Sequence, residues 1–411
     1  MTTSLTTHKA TAKLVGWIAD QLHTPNDVWR QSLAFGAPGI ALLHLELAAA
    51  ELRPWQRAHD WLTFAASGPL TTGRDCHLFY GAPAMAHVLA CADTVRPGVY
   101  ADALALLDRA VAAEALRCAA LACSRADRGE VAAVREFDTL RGLAGLGSHL
   151  LRRDPQGEAI RQVLAALVRV SQPFIIDGEQ RPGWWALEGP REKLDPHGFP
   201  GGHANLGMAH GIGGPLALLA LAARQGVTVD GQLDAIGRIT AVLDRWQCDT
   251  GGGLAWPYWI TVADHRAGSR DDTEPQRLAW CYGTAGLARA QQLAALATGD
   301  PARRSMAESA LADALTTPGR LAATDGPTLC HGFTGLALLA LRAAEDAEPA
   351  SAERLQAALP ALLEATAAAG LDNPRQAPAL LEGAAGIALA AHAAATGRPP
   401  RTEWDTCLLI A

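Results

Sequence analysis

Aromatic residues are scarce in this 411-residue chain, at 5%. Scarcer still are alternating Val, Ile, Tyr and Phe runs of the kind that build half-buried strands, which argues against a β-sandwich or barrel. There is no basic block. Lys and Arg number 35 against 42 Asp and Glu, a net charge of -7, so a nucleic-acid partner is not expected. No apolar run reaches the roughly 18–20 residues of a membrane span; those around 213–223 and 333–342 stop short. The opening MTTSLTTHKATAKLVGWIADQL lacks the basic start, apolar core and small-residue cleavage site of a secretory signal. A cytoplasmic protein is therefore expected, its eight cysteines unpaired. Three of these, Cys91, Cys118 and Cys123, fall in Ala/Leu-rich stretches and read as small buried hydrophobes.

What the chain does have is 49% hydrophobic residues dominated by Ala and Leu, which are strong helix formers, and 40 glycines. Single compact cores stop growing at roughly 250–300 residues, so a helical chain of this length needs either two domains or a core built by repetition. Repetition is visible. Gly-x-x-Gly followed by an Ala/Leu-rich run occurs as GAPGIALLHL at 36, GAPAMAHVLA at 81, GLAGLGSHLL at 142, GIGGPLALLA at 211, GTAGLARAQQ at 283, GFTGLALLAL at 332 and GAAGIALAAH at 383. Only the second copy departs, with Ala84 in place of its last glycine. Successive first glycines are 45, 61, 69, 72, 49 and 51 residues apart, enough for a helical hairpin in each interval.

The run after each motif is apolar on nearly every side, as a fully buried helix must be, while segments such as RPWQRAHDWLTFAA and GEAIRQVLAALVRVS read as amphipathic outer helices. Glycine at the head of each inner helix permits a tight turn and close backbone approach. An open solenoid needs polar capping repeats, and neither the first nor the seventh copy is polar. The expected fold is all-α: a closed α/α toroid of seven helical hairpins whose inner helices open on the glycine motifs. It is expected as one domain over 1–411, with long loop insertions around 85–140, 173–210 and 248–277. Six of the 11 tryptophans (Trp184, Trp185, Trp246, Trp256, Trp259 and Trp280) gather within 184–280. Four of them, Trp184, Trp185, Trp256 and Trp259, either pin these loops to the ring or line a functional surface.

Chemistry-bearing residues sit just ahead of the middle glycine motifs: Asp138 in EFDTLRGLAG, His210 in NLGMAHGIGG, Arg277, Trp280, Cys281 and Tyr282 in RLAWCYGTAG, and Cys330 and His331 in TLCHGFTG. If each motif opens an inner helix, these side chains ring one mouth of the toroid. Cys281, Cys330 and His331 form a plausible Cys₂His set for Zn²⁺, and three protein ligands with a fourth position open is the catalytic pattern. Two buried cysteines beside a hydrogen-bonded histidine is the alternative. Trp280 is read as packing beneath the site, His197 and His203 as surface residues, and His149 as a core histidine.

Asp-x-x-x-Gly-x-x-Gly, Asn-x-Gly-x-Ala-His-Gly, Arg-x-x-Trp-Cys-Tyr-Gly and Cys-His-Gly, in this order, resemble the lanthionine synthetase C family over essentially the whole chain. No dehydratase or kinase-like region precedes the repeats, so a stand-alone cyclase is expected rather than a fused synthetase. The resemblance implies an α/α toroid with one catalytic Zn²⁺ held by Cys281, Cys330 and His331. It implies acid/base and electrophile-stabilising roles for Asp138, His210 and Arg277, with Tyr282 beside the metal. The implied reaction is addition of a peptide cysteine thiol to dehydroalanine or dehydrobutyrine, closing a thioether ring. The implied substrate is a dehydrated lanthipeptide precursor with its leader. A dehydratase is the expected partner, with a membrane transporter complex as the route to any peripheral membrane association.

A free thiol is mostly protonated at neutral pH, and metal binding would make it a thiolate. With two thiolate ligands the metal's charge is already neutralised, which keeps a third sulfur nucleophilic. Arg277 would stabilise the developing enolate and His210 would protonate the α-carbon. Asp138 either takes the thiol proton or holds His210 in its tautomer, and the sequence leaves both open. An Asp138–Arg277 ion pair and a structural His210 are the non-catalytic readings. Three other functions compete. One is a relative that adds a free thiol such as glutathione to dehydrated residues, and another is a zinc-stabilised peptide-binding scaffold without catalysis. The third, a terpene-cyclising or prenyl-transferring toroid, lacks an Asp-rich pyrophosphate motif.

Overall fold

In a computed structural model of the chain, residues 2–23, 29–189, 195–250, 252–270, 277–324, 326–371, 374 and 377–411 are described. Seventeen α-helices occur among them. Seven begin at the glycine motifs: Ala37–Ala49, Ala82–Val95, Leu143–Arg153, Gly213–Arg224, Thr284–Thr298, Phe333–Asp346 and Ala384–Thr396. They are buried on almost every face, in keeping with their unbroken apolar sequence.

The two glycines of the motif do different work. The first caps the helix without a side chain, and at Gly283 it does so at φ 84°, a conformation that costs other residues. The last glycine lets the first turn of the helix lie against a neighbouring carbonyl. A Cβ on Gly386 would fall 1.7 Å from the Leu380 oxygen, and one on Gly335 2.0 Å from the Leu329 oxygen. Since both neighbours are backbone, they cannot swing aside. Gly386→Ala is expected to destabilise the fold by about 1–3 kcal/mol or more, seen as a lowered thermal midpoint; an unchanged midpoint would show that the turn has room to relax.

The Cα framework divides into two compact units, 1–110 with 277–280 and 315–411, and 111–276 with 281–314. In the first, Ala384–Thr396 packs against both Phe333–Asp346 and Ala37–Ala49, so the seventh motif helix meets the first, and Ala37–Ala49 in turn packs on Ala82–Val95. Trp55–Ala65 and Pro349–Ala369 form outer partners. Among the described residues no α-helix follows Ala384–Thr396; it packs on the N-terminal helix Thr2–Gln21. The last motif helix is thus paired with the other end of the chain. The buried turn Trp404–Leu408 closes this unit. Asp405, fully buried, takes two hydrogen bonds from the Arg342 guanidinium at 2.6 and 2.8 Å, and the Trp404 carbonyl accepts from His87.

In the second unit Leu143–Arg153, Gly213–Arg224 and Thr284–Thr298 pack side by side, with Glu158–Val170 and Gln232–Trp246 outside them. The segment around 85–140, expected as a loop insertion, is largely helical. It holds the rest of Ala82–Val95 and the 27-residue helix Ala101–Asp127. That helix has the Ala/Leu composition of the motif helices but no Gly-x-x-Gly motif ahead of it. On it, Cys118 and Cys123 are half-buried rather than fully buried, while Cys91 and His149 lie in the core as expected.

The other two insertions contain short strands. Phe174–Ile176 pairs with Glu179–Arg181, Cys248–Asp249 with Leu254–Ala255, and His203–Asn205 lies between Trp185–Ala186 and Trp259–Thr261, all antiparallel. The last sheet joins the two insertions to each other. Its tryptophans serve as pins: Trp184, Trp185 and Trp256 are buried, Trp185 donates to the Gly201 carbonyl and Trp256 to that of Leu243.

His203, expected at the surface, is completely buried, because its strand is the central one and the Phe199 ring packs against it, tilted, at a centroid distance of 4.7 Å. Burial pushes its pKa down to about 4, and His44, whose ring nitrogen donates to the Leu22 carbonyl, is pushed down to about 4 for the same reason. Between about pH 6.5 and 4 the unfolded chain takes up protons that these folded imidazoles refuse. Their contribution to stability is complete above pH 6.5 and is lost as pH falls toward 4. Thermal midpoints measured at pH 7 and pH 5 should fall with acidity, with a smaller fall in His44→Gln; an equal fall would remove His44 from the account.

Candidate metal centre

Cys281, Cys330 and His331 converge although 48 residues separate the first from the pair: their ligand atoms all lie within 4.8 Å of one another. Each is placed by the backbone at the head of a motif helix. The Cys330 N–H donates to the Leu381 carbonyl, and the Cys281 carbonyl accepts from the Ala209 N–H. Both cysteines are buried and His331 is half-buried. A tetrahedral Zn²⁺ with sulfur at about 2.3 Å and nitrogen at about 2.0 Å spaces its ligand atoms roughly 3.5–4 Å apart. Small side-chain adjustments bring this set to that spacing, and two thiols with one imidazole suit zinc better than magnesium or calcium, which favour oxygen. The residues fit the ion.

Asp138 and His210 lie 72 residues apart in sequence and 2.8 Å apart in space, His210 Nδ1 against Asp138 Oδ2. Asp138 is fully buried, and its other oxygen accepts from the N–H groups of Arg141 and Gly142 at 2.8 and 2.6 Å. With both oxygens engaged, the carboxylate is held in one orientation, and an Nδ1–H of His210 given to it leaves the ring's lone pair on Nε2. His210 is half-buried, not sealed in the core.

The loop at 205–212 that carries His210 is latched on three sides. Thr139 donates its hydroxyl to the Met208 carbonyl at 2.6 Å and its N–H to that of Ala209, and the Ala209 N–H donates to the carbonyl of Cys281. Gly207 allows the close fit: a Cβ there would stand 2.6 Å from the Cys281 oxygen and 2.7 Å from the Tyr282 ring. Cys281 is therefore tied by its backbone to the residue preceding His210.

Tyr282, half-buried, follows Cys281, with its ring centroid 5.4 Å from that of Tyr258 and 6.2 Å from that of Trp259. Arg277 is half-buried four residues before Cys281. Trp280 is buried and donates to the Leu408 carbonyl, as expected of a residue packing beneath the site. Asn205 was visible in the Asn-x-Gly-x-Ala-His-Gly motif but was not singled out. It is fully buried, donates from Nδ2 to the Tyr282 hydroxyl at 3.1 Å and accepts from the Gly207 N–H at 3.0 Å. Nothing in its local sequence announces a partner 77 residues away. Among the described residues no helix is long and apolar enough to cross a membrane.

The chain is similar to known proteins in sequence and in fold. Over 208 residues the chain is 26% identical to the nisin biosynthesis protein NisC of Lactococcus lactis subsp. lactis, a match spanning 49% of this chain and 47% of that protein. It thus spans about half the length of the curated relative it matches. The solved structure of nisin cyclase superimposes with a TM-score of 0.76 over 98% of this chain and 97% of that one, at 19% identity. That likeness shows the fold, an α/α toroid. The profile of the lanthionine synthetase C-like protein family matches residues 27–409, nearly the full chain, and the chain belongs to that family.

Proposed function

We propose that this protein is a zinc-dependent lanthipeptide cyclase, which adds cysteine thiols of a dehydrated precursor peptide to its dehydroalanine and dehydrobutyrine residues. The observation that carries the proposal is the convergence of Cys281, Cys330 and His331 within 4.8 Å of one another. Zn²⁺ bound by this set supplies the thiolate form of the incoming cysteine.

The chain's own groups account for the protons. His210, whose Nε2 carries the ring's lone pair when Nδ1–H is given to Asp138, takes the proton that the thiol loses. As the S–Cβ bond forms, the Cα–Cβ double bond opens and negative charge passes to the neighbouring carbonyl oxygen, where the Arg277 guanidinium is the stabilising group. His210 then returns the proton to Cα, so atoms and charge balance. Asp138, with both oxygens engaged by hydrogen bonds, orients His210 and compensates its transient charge.

The substrate in this reading is a dehydrated lanthipeptide precursor with its leader, made by a partner dehydratase and passed on to a membrane transporter, in the cytoplasm. Ring closure leaves the peptide's mass unchanged but consumes a thiol. The test is to incubate the zinc-loaded protein with a dehydrated cysteine-containing precursor, alkylate with N-ethylmaleimide and weigh the product. Progressive loss of alkylation is expected. Full alkylation throughout would overturn the cyclase reading, and a glutathione adduct formed in preference to the ring would favour intermolecular thiol addition.

A further inference from the structure

We propose that Trp29 and Phe35 form a docking platform for the precursor peptide, taking an apolar side chain that lies a few residues from the cysteine being cyclised. The proposal rests on the cyclase reading and deepens it.

Among the described residues, only three tryptophan or phenylalanine side chains are exposed: Trp17, Trp29 and Phe35. Trp29 and Phe35, 66% and 50% exposed, meet edge to face, with ring centroids 6.3 Å apart and planes at 71°. Single apolar side chains on a surface are ordinary, whereas apolar side chains gathered in water point to a binding surface. Aromatic rings suit that task because they bring a large contact area at little rotamer cost.

Their loop is held in one shape. The Trp29 carbonyl accepts the Ala37 N–H at 3.0 Å, and the Phe35 N–H donates to the Ser32 hydroxyl at 3.0 Å. Gly36 permits this turn, since a Cβ there would stand 1.7 Å from the Trp29 oxygen. Little loop ordering is left for a ligand to bring about, which favours binding.

Backbone hydrogen bonds set this loop beside Cys330 and His331. Within the first compact unit the heads of four motif helices are bonded in series. The Leu33 N–H donates to the Phe79 carbonyl at 2.9 Å, the Leu381 N–H to that of Ala34 at 3.3 Å, and the Cys330 N–H to that of Leu381 at 2.8 Å. Leu381 alone thus bridges Ala34 and Cys330, which puts the Ala34 oxygen no more than about 10 Å from the Cys330 nitrogen. Phe35 follows Ala34, and His331 follows Cys330. At about 3.3–3.6 Å per residue, an extended peptide whose cysteine lies at Cys330 and His331 reaches the aromatic pair in roughly three to six residues. Contact there is the same in the ground and transition states, so it lowers KM and leaves kcat alone.

The test uses zinc-loaded full-length protein and two synthetic peptides, each with one dehydroalanine and one cysteine. In one, phenylalanines lie at that distance on both sides of the cysteine; in the other, serines replace them. The phenylalanine peptide should show a KM about tenfold below that of the serine peptide, with kcat within about twofold. The double variant Trp29→Ala, Phe35→Ala should erase the difference by raising KM for the phenylalanine peptide alone. Since both rings are exposed, it should keep its zinc and its thermal midpoint. A preference for phenylalanine that survives the double substitution, or its absence from the wild type, would overturn the proposal.

Inert copies of the peptides, with alanine for dehydroalanine and serine for cysteine, give a readout without turnover, by fluorescence anisotropy. Tighter binding of the phenylalanine copy by the wild type but not by the variant supports the platform. If no ring is closed in that case, the failure falls on the cyclase reading alone. Equal binding of both copies by both proteins would overturn the platform, as would a wild-type dimer that the double substitution dissociates with KM unchanged.

Discussion

Cys281→Ala and Cys330→Ala are each expected to lower bound zinc from one ion per chain to a small residue and to abolish ring closure. In the proposed site both thiols belong to a three-ligand set, and a catalytic zinc held by three protein ligands would have none to spare. Removing either thiolate leaves one sulfur and one imidazole. It also restores positive charge to any metal still bound, which would blunt an attacking sulfur. The variants should nonetheless fold, because the glycine-motif helices around the site are held by apolar burial and backbone contacts that do not involve the metal. Zinc is read by elemental analysis of dialysed protein, and folding by circular dichroism and thermal midpoint. Full zinc occupancy in Cys281→Ala would remove that residue from the ligand set. Collapse of both variants to unfolded chains would assign the metal a structural role instead.

His210→Ala should keep its zinc and lose ring closure by about 10²–10⁴-fold, the span usual for a positioned proton-transfer group. Its side chain bonds Asp138 and is not one of the three grouped ligands, so the proposed metal set keeps all its members. Asp138→Asn is the more discriminating variant. Its carbonyl oxygen can still accept from Arg141 and Gly142, which leaves the amide NH₂ facing His210 Nδ1. The imidazole must then accept at Nδ1 and carry its proton on Nε2, the wrong tautomer for taking a proton from the thiol. A loss of about 10²-fold or more with zinc retained is expected, measured by the alkylation assay on zinc-quantified protein. Equal activity in Asp138→Asn and wild type would show that the tautomer does not matter and would shift the base elsewhere.

The glycine motifs were legible because they are local: a turn, a close approach and an apolar run all fall within about ten residues of each other. The Cys₂His set was legible for a related reason, since equivalent points of a repeat are brought to equivalent places in the fold. His203 misled because the strands on either side of it are only two and three residues long, too short for alternation to show, and one of them lies in the other insertion. The region around 85–140 misled because Ala101–Asp127 is not headed by the Gly-x-x-Gly motif that marks the inner helices.

By itself the sequence determined the helical class, the seven inner helices and the residue types gathered at their heads, because helix periodicity and glycine turns are written in neighbouring residues. Tertiary structure decided which side chains complete each other. It supplied Thr2–Gln21 as the partner of the last motif helix, and it joined two insertions through the sheet that holds Asn205. It also gave Asp138 to His210, although a sequence leaves its pairing with Arg277 equally open. Hydrogen bonds between residues 72 and 77 positions apart depend on how helices and strands pack, and no local pattern encodes that distance.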